Sequence, residues 1–81
     1  DPTLDVEGDE LAREQTARLE AEISRLPTAL KEPLLLVTFD DASHAEAAEI
    51  LGVSVKTIEM RLYRARKLLA ARLDKDLAPN D

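Results

Sequence analysis

Apolar residues recur along this chain at helical rather than strand spacing. Between Glu10 and Leu26, the side chains of Leu11, Ala12, Leu19, Ile23 and Leu26 fall largely on one helical face, with charges elsewhere. Pro27 should end this segment, because the residue before a proline is pushed out of the α region. Thr28 is placed to cap a second helix running through Phe39, with Leu30, Leu34, Leu35 and Val37 as inward candidates. Pro33 sits about a turn and a half into it, where a missing amide donor costs less than at mid-helix. Asp40 and Asp41 end this helix or form the turn after it.

The second half of the chain carries sharper punctuation. Ser43-His44-Ala45-Glu46 is a capping-box sequence, a Ser cap answered three residues on by Glu. The helix it opens should run from Ala45 to Leu51 and stop at Gly52, the residue type best suited to the left-handed position after a helix. Ser54 is a fresh N-cap, and a fourth helix is expected from Val55 to about Leu73. Two capped helices joined by a short connection containing Gly are the sequence form of a helix-turn-helix. Ala48, four residues before Gly52, lets the two helices approach closely, while Ala47, Leu51, Val53, Ile58 and Leu62 supply the interior around the turn. The expected fold is all-α, a four-helix domain with a C-terminal helix-turn-helix. Residues 10–73 form the domain, residues 1–9 an acidic linker or tail, and residues 74–81 a C-terminal tail.

Steps of 100° per residue separate the faces of the fourth helix. Ile58, Leu62, Ala65, Leu69 and Leu73 cluster within about 80° and must face the core. Lys56, Glu59, Met60, Tyr63, Arg64 and Lys67 lie opposite, where a DNA-reading helix carries its base and phosphate contacts. Arg61, Arg66 and Arg72 fall on the flanks, suited to phosphates or to salt bridges with the acidic first helices. A solvated charged face is the ordinary explanation for such a pattern. Its position directly after a capped glycine turn, with one acid against six bases, favours DNA.

Composition narrows this picture. The 81 residues include two Gly, no Trp, one Phe and one Tyr, so the core must be built from Leu, Ile, Val and Ala, which suits packed helices. With no Cys there is neither a disulfide frame nor a thiolate metal site, in keeping with a reducing, cytoplasmic setting. No apolar run approaches the roughly 20 residues of a membrane span, and the opening residues do not show a signal-peptide pattern. Because the sequence begins without Met, it is expected to be a piece of something longer.

The net charge of −6 argues against nucleic acid until its distribution is read. Residues 1–53 hold 4 basic and 13 acidic side chains, whereas residues 54–73 hold six basic side chains against Glu59 alone. Local potential decides where a polyanion docks, so the acidic total does not exclude DNA.

Other chemistry finds little footing. His44 is the single histidine, in the first turn of the third helix; it either donates to a phosphate there or is exposed without a role, the commoner case. Asp40 and Asp41, side by side in a turn, solvate more readily than they coordinate, and no metal site is expected. Ser24, Ser43 and Ser54 have no nearby base in a nucleophile arrangement, and no glycine-rich phosphate loop occurs. Neither catalysis nor a cofactor is expected. Tyr63 either covers a neighbouring Lys stem or stacks on a sugar or thymine methyl.

A family resemblance rests on a defined set of residues. Leu26-Pro27, the run Leu34-Leu35-Leu36, the block from Ala45 to Ser54, Thr57-Ile58, and Arg61-Leu62-Tyr63-Arg64-Ala65-Arg66-Lys67-Leu68-Leu69 together resemble region 4 of the extracytoplasmic-function sigma factors. The match covers roughly residues 10–73, and the block from Ala48 to Leu69 is its specific part, since the Arg-Leu-x-Arg-Ala-Arg-Lys-x-Leu run is rare in other helix-turn-helix proteins. The acidic start resembles the linker between that family's two globular regions. The resemblance implies a domain that binds the upstream (−35) promoter element, docks on the β flap of RNA polymerase and is often held by an anti-sigma factor. The implied DNA-contacting positions are Lys56, Glu59, Met60, Tyr63 and Arg64, with Arg61 and Lys67 placed for phosphates. Two positions depart from the family pattern, which carries Lys or Arg where Glu59 stands and a small polar residue where Met60 stands. Glu can accept from cytosine N4 and Met can pack on a thymine methyl, whereas Glu also repels phosphate.

Two further readings remain open. Excess acid in the first helix, and Glu59 on the outer face, fit a sigma-like module that binds an anti-sigma partner instead of DNA. The output domain of a two-component response regulator shares the turn, though not usually the Arg-Ala-Arg-Lys run.

Overall fold

A computed structural model describes residues 5–77 of the chain, with side-chain surroundings for residues 10–73. Four helices occur among the described residues, α1 (Asp5–Ser24), α2 (Thr28–Thr38), α3 (His44–Leu51) and α4 (Val55–Leu77), and no strand. The all-α expectation with a C-terminal helix-turn-helix holds. Residues 1–4 and 78–81 of the expected tails lie outside the described residues. Residues 5–9 are already helical, so α1 begins earlier than its apolar pattern suggests. At the other end α4 runs four residues past Leu73, since no helix breaker precedes Pro79.

The turn between α1 and α2 differs from expectation in one respect. Pro27, not Thr28, occupies the N-cap of α2, and no side chain caps that end. Thr28 is itself the first helical residue, while the amides of Leu30 and Lys31 both donate to the Pro27 carbonyl at 2.9 Å. Lys31 then reaches back, its Nζ donating to the Ser24 carbonyl at 3.1 Å and occupying an acceptor that α1 leaves open. Pro33 lies within α2 with its ring fully buried; the Ala29 carbonyl that its missing amide would have served is on an exposed residue, open to water. The helix ends at Thr38, with Phe39 as its cap residue. The chain then turns through Asp41 at φ 58°, a left-handed conformation that Asp tolerates better than most residues.

The core joins the last turn of α1 to the other three helices. Ile23 and Leu26 meet Leu34 of α2, Ala47 and Ala48 of α3, and Ile58, Leu62, Ala65 and Leu69 of α4. The Ile58 and Leu62 side chains are essentially inaccessible, and each contributes about 1.5–3 kcal/mol by its removal from water. α4 contacts all three other helices and is the element around which the domain is built. By contrast, every residue from Glu10 to Ala21 is exposed, Leu11 and Leu19 included.

One charge is drawn into the α1–α4 contact. Glu22 is 8% exposed and lies 3.6 Å from Arg72 Nη1 and 3.7 Å from Arg25 Nη1. Its Oε1 has no hydrogen-bond partner, so the attraction to Arg72 is ionic and not tightened by a directed bond. Both arginines are more than a third exposed, which screens the pairing. Arg72 is thus a structural cation that ties α4 to α1.

Candidate nucleic-acid interface

The helix-turn-helix is set by short-range hydrogen bonds that the sequence specifies residue by residue. At the start of α3 the Glu46 amide donates to Ser43 Oγ (3.0 Å), and the Ser43 amide donates to Glu46 Oε1 (2.8 Å). Both halves of the capping box are therefore made. At its end Gly52 adopts φ 69°, which lets the Val53 amide reach the Ala48 carbonyl at 3.0 Å and the Gly52 amide reach that of Glu49 at 3.3 Å. This is the Schellman ending, and it needs a residue at ease in the left-handed region. Ser54 restarts the chain, its Oγ accepting from the Thr57 amide at 3.0 Å. Ala47 and Ala48, both buried, let α3 lie close on Ile58 and Leu62.

That geometry fixes the rotation of α4. With Ile58, Leu62, Ala65 and Leu69 held in the core, Lys56, Glu59, Met60, Tyr63, Arg64 and Lys67 are all exposed on the outer side. Arg61 is half-buried on the flank. Two open grooves run along this face and share Glu59 and Tyr63 as their common ridge. One is completed by Met60 and Arg64; the other, on the α3 side, by His44, Arg66 and Lys67. Lys67 Nζ lies 5.9 Å from the centroid of the Tyr63 ring, at the outer range of a cation–π contact, so Tyr63 both covers a lysine and remains 64% exposed.

Two residues join this face that sequence reasoning did not place there. Arg66 is exposed and lines the α3-side groove, and His44 is half-buried at its edge. A wheel drawn for α4 alone puts Arg66 on a flank; only the crossing of α3 over α4 brings His44 beside it. Arg72, suited by sequence to a phosphate or to a salt bridge, takes the salt bridge. Among the described residues no group of three or more acidic, His or Cys side chains is placed to hold a metal ion, and no helix is long and apolar enough to cross a membrane.

The chemical capacity of the face follows from its groups. Lys56, Arg64, Arg66 and Lys67 are donors of the kind that phosphate or the acceptor edge of guanine accepts from, Met60 and Tyr63 offer apolar surface, and Glu59 offers acceptors. An exposed helix of this kind, placed second across a capped glycine turn, defines a helix-turn-helix domain of the nucleic-acid-binding type. Residues 16–69 match the family model of sigma-70, region 4. The chain is 42% identical over 65 residues to the RNA polymerase sigma factor CnrH of Cupriavidus metallidurans, covering 80% of this chain and 34% of that protein. It is 45% identical over 76 residues to the RNA polymerase sigma factor NccH of Alcaligenes xylosoxydans xylosoxydans, covering 88% and 40%. The ECF RNA polymerase sigma factor EcfG of Rhodopseudomonas palustris is 40% identical over 76 residues, covering 83% and 42%. The chain belongs to the sigma-70 region 4 family, in its extracytoplasmic-function (ECF) branch. It spans about two-fifths or less of the length of these relatives. No solved structure matches it significantly.

Proposed function

We propose that this domain recognises the −35 promoter element during transcription initiation and docks on bacterial RNA polymerase through the β flap. Its role is binding rather than catalysis, its setting the cytoplasm, and an anti-sigma factor is its expected regulator. Family membership supports this reading, but the observation that carries it belongs to this chain. The residues from Ser54 to Leu73 concentrate six cations against one acid in a molecule of net charge −6, and α4 exposes Lys56, Arg64, Arg66 and Lys67 on its outer side. Lys56, Glu59 and Met60 lie in the first two turns of α4, the part of a recognition helix that enters the major groove. Arg64, Arg66 and Lys67 follow where the helix leaves it, beside the phosphates.

Fluorescence anisotropy of the chain on a panel of labelled duplexes tests the proposal. The expected result is a clear sequence preference, an affinity that falls steeply with salt, and a salt slope flattened by about one unit in Lys67→Ala. An absence of preference at low salt, in this chain and in a longer protein that contains it, overturns the reading.

A second reading has an observation of its own. The exposed length of α1 carries Glu10, Glu14 and Glu20 against Arg13 and Arg18, with two solvent-facing leucines, a mixed surface suited to a protein partner. A stable complex with an anti-sigma protein, combined with no DNA binding by the free chain, favours it.

A further inference from the structure

Glu59 is the one acid on the basic outer face of α4, and it is exposed at the crest between the two grooves. Among the described residues the only ion pairs involve Glu22, so no cation lies within 4.0 Å of the Glu59 carboxylate. The helix itself gives it poor company. Its neighbours three and four positions away are Val55, Lys56, Leu62 and Tyr63, and Lys56 lies on the N-terminal side, the weaker orientation for a helical Lys–Glu pair. Arg64, Arg66 and Lys67 line the same grooves without engaging it. An uncommitted carboxylate on a cationic face repels the phosphates that the rest of the face attracts, so Glu59 works against affinity for any duplex.

We infer that Glu59 sets sequence specificity, reading a cytosine in the major groove through its exocyclic N4 amino group at the expense of overall affinity. This rests on the proposed role of α4 as a DNA-reading helix. Phosphates and guanine N7 and O6 offer only acceptors, which a carboxylate cannot satisfy. The amino groups available in the major groove belong to cytosine and adenine. Adenine presents its amino group beside its own N7 lone pair, which repels a carboxylate, whereas the cytosine amino group has only the C5–H beside it on its own base. Glu59 is the fifth residue of α4, within the half that enters the groove, so its short side chain can meet a base edge. On this account the carboxylate penalises every site that lacks the matching cytosine, and selectivity comes as much from rejection as from attraction.

The test measures the 81-residue chain, Glu59→Ala and Glu59→Gln against duplexes in which each base pair of the best-bound site is changed singly. Because Glu59 is exposed and unpaired, both variants should fold, which circular dichroism checks. The unsubstituted chain is expected to lose roughly 5- to 100-fold in affinity when one particular C·G pair becomes T·A. Glu59→Ala should bind the altered duplexes more tightly than the unsubstituted chain does, and reduce that discrimination to within about twofold. Glu59→Gln keeps an acceptor oxygen without the charge, so it should bind more tightly overall and retain part of the preference. A uniform gain in Glu59→Ala with every base preference intact overturns the inference, as does coupling of Glu59 to a base other than cytosine. In both of those outcomes sequence-specific binding survives, which separates them from a flat profile in the unsubstituted chain; that result overturns the DNA-reading role itself, and this inference with it.

Discussion

The two long helices of this molecule, α1 with 20 residues and α4 with 23, are matched in length and opposite in charge, yet only one is enclosed by the fold. In α4 the apolar positions Ile58, Leu62, Ala65 and Leu69 follow one another at intervals of four, three and four, and all are buried. In α1 the stripe that ends in Ile23 and Leu26 continues through Leu19 but is interrupted two turns before Ile23. Gln15 and Thr16 stand where the next apolar residues would be needed, and Leu11 and Leu19 are left 56% and 36% exposed. Helix length and local propensity are similar, so continuity of the apolar stripe decides which helix becomes the centre of the core. The consequence is functional as well as structural. Because α4 is clamped along one side, its opposite side is held in a fixed orientation, as a base-reading surface requires. Among the described residues, α1 is held only at its last turn, through Ile23 and the Glu22–Arg72 pairing.

Substitutions on the two helices should expose this difference. Leu62→Ala removes a side chain with 1% exposure from the junction of α3 and α4, and about 2–5 kcal/mol of stability is expected to go with it. In a domain this small that loss can abolish the cooperative transition, which denaturant titration by circular dichroism will show. Gly52→Ala should cost less, about 1–2 kcal/mol. A methyl group there meets nothing within 4 Å, so the penalty is the left-handed backbone alone. Gly52→Asn should recover part of it, and a clash-sized loss in either variant would contradict the open geometry of the turn. Leu11→Ala should be nearly silent, within about 0.5 kcal/mol, because its side chain touches no core. A loss comparable with that of Leu62→Ala would mean that α1 is enclosed after all.

The same contrast explains how much of the fold is legible in the sequence. Ser43, Glu46, Gly52 and Ser54 act on neighbours within a few residues, so the helix-turn-helix can be read from local signals alone. The facing of α4 follows from its unbroken stripe, which correctly exposes Lys56, Glu59, Met60, Tyr63, Arg64 and Lys67. The less legible features depend on contacts between elements or on weak end signals. Thr28 has the side chain of a cap, but Pro27 takes that position because its carbonyl already receives the first amides of α2. The early start of α1 is hidden by Gly8 and the lack of apolar periodicity before Glu10. The groove shared by His44, Glu59, Tyr63 and Arg66 requires the crossing of α3 over α4, which no single-helix projection contains. Burial of Glu22 is equally invisible in one dimension, since an acid in an acidic helix reads as solvated until Arg72 arrives from α4.

We propose that the outer face of α4, and not the charge of the molecule at large, binds DNA. Arg64→Ala and Arg18→Ala change net charge equally, one on that face and one on the exposed length of α1. Titrating both variants and the unsubstituted chain against the preferred duplex compares them directly. Arg64→Ala is expected to weaken binding by at least about fivefold and Arg18→Ala by less than about twofold. Equal losses from the two substitutions, or none from Arg64→Ala, would contradict the account.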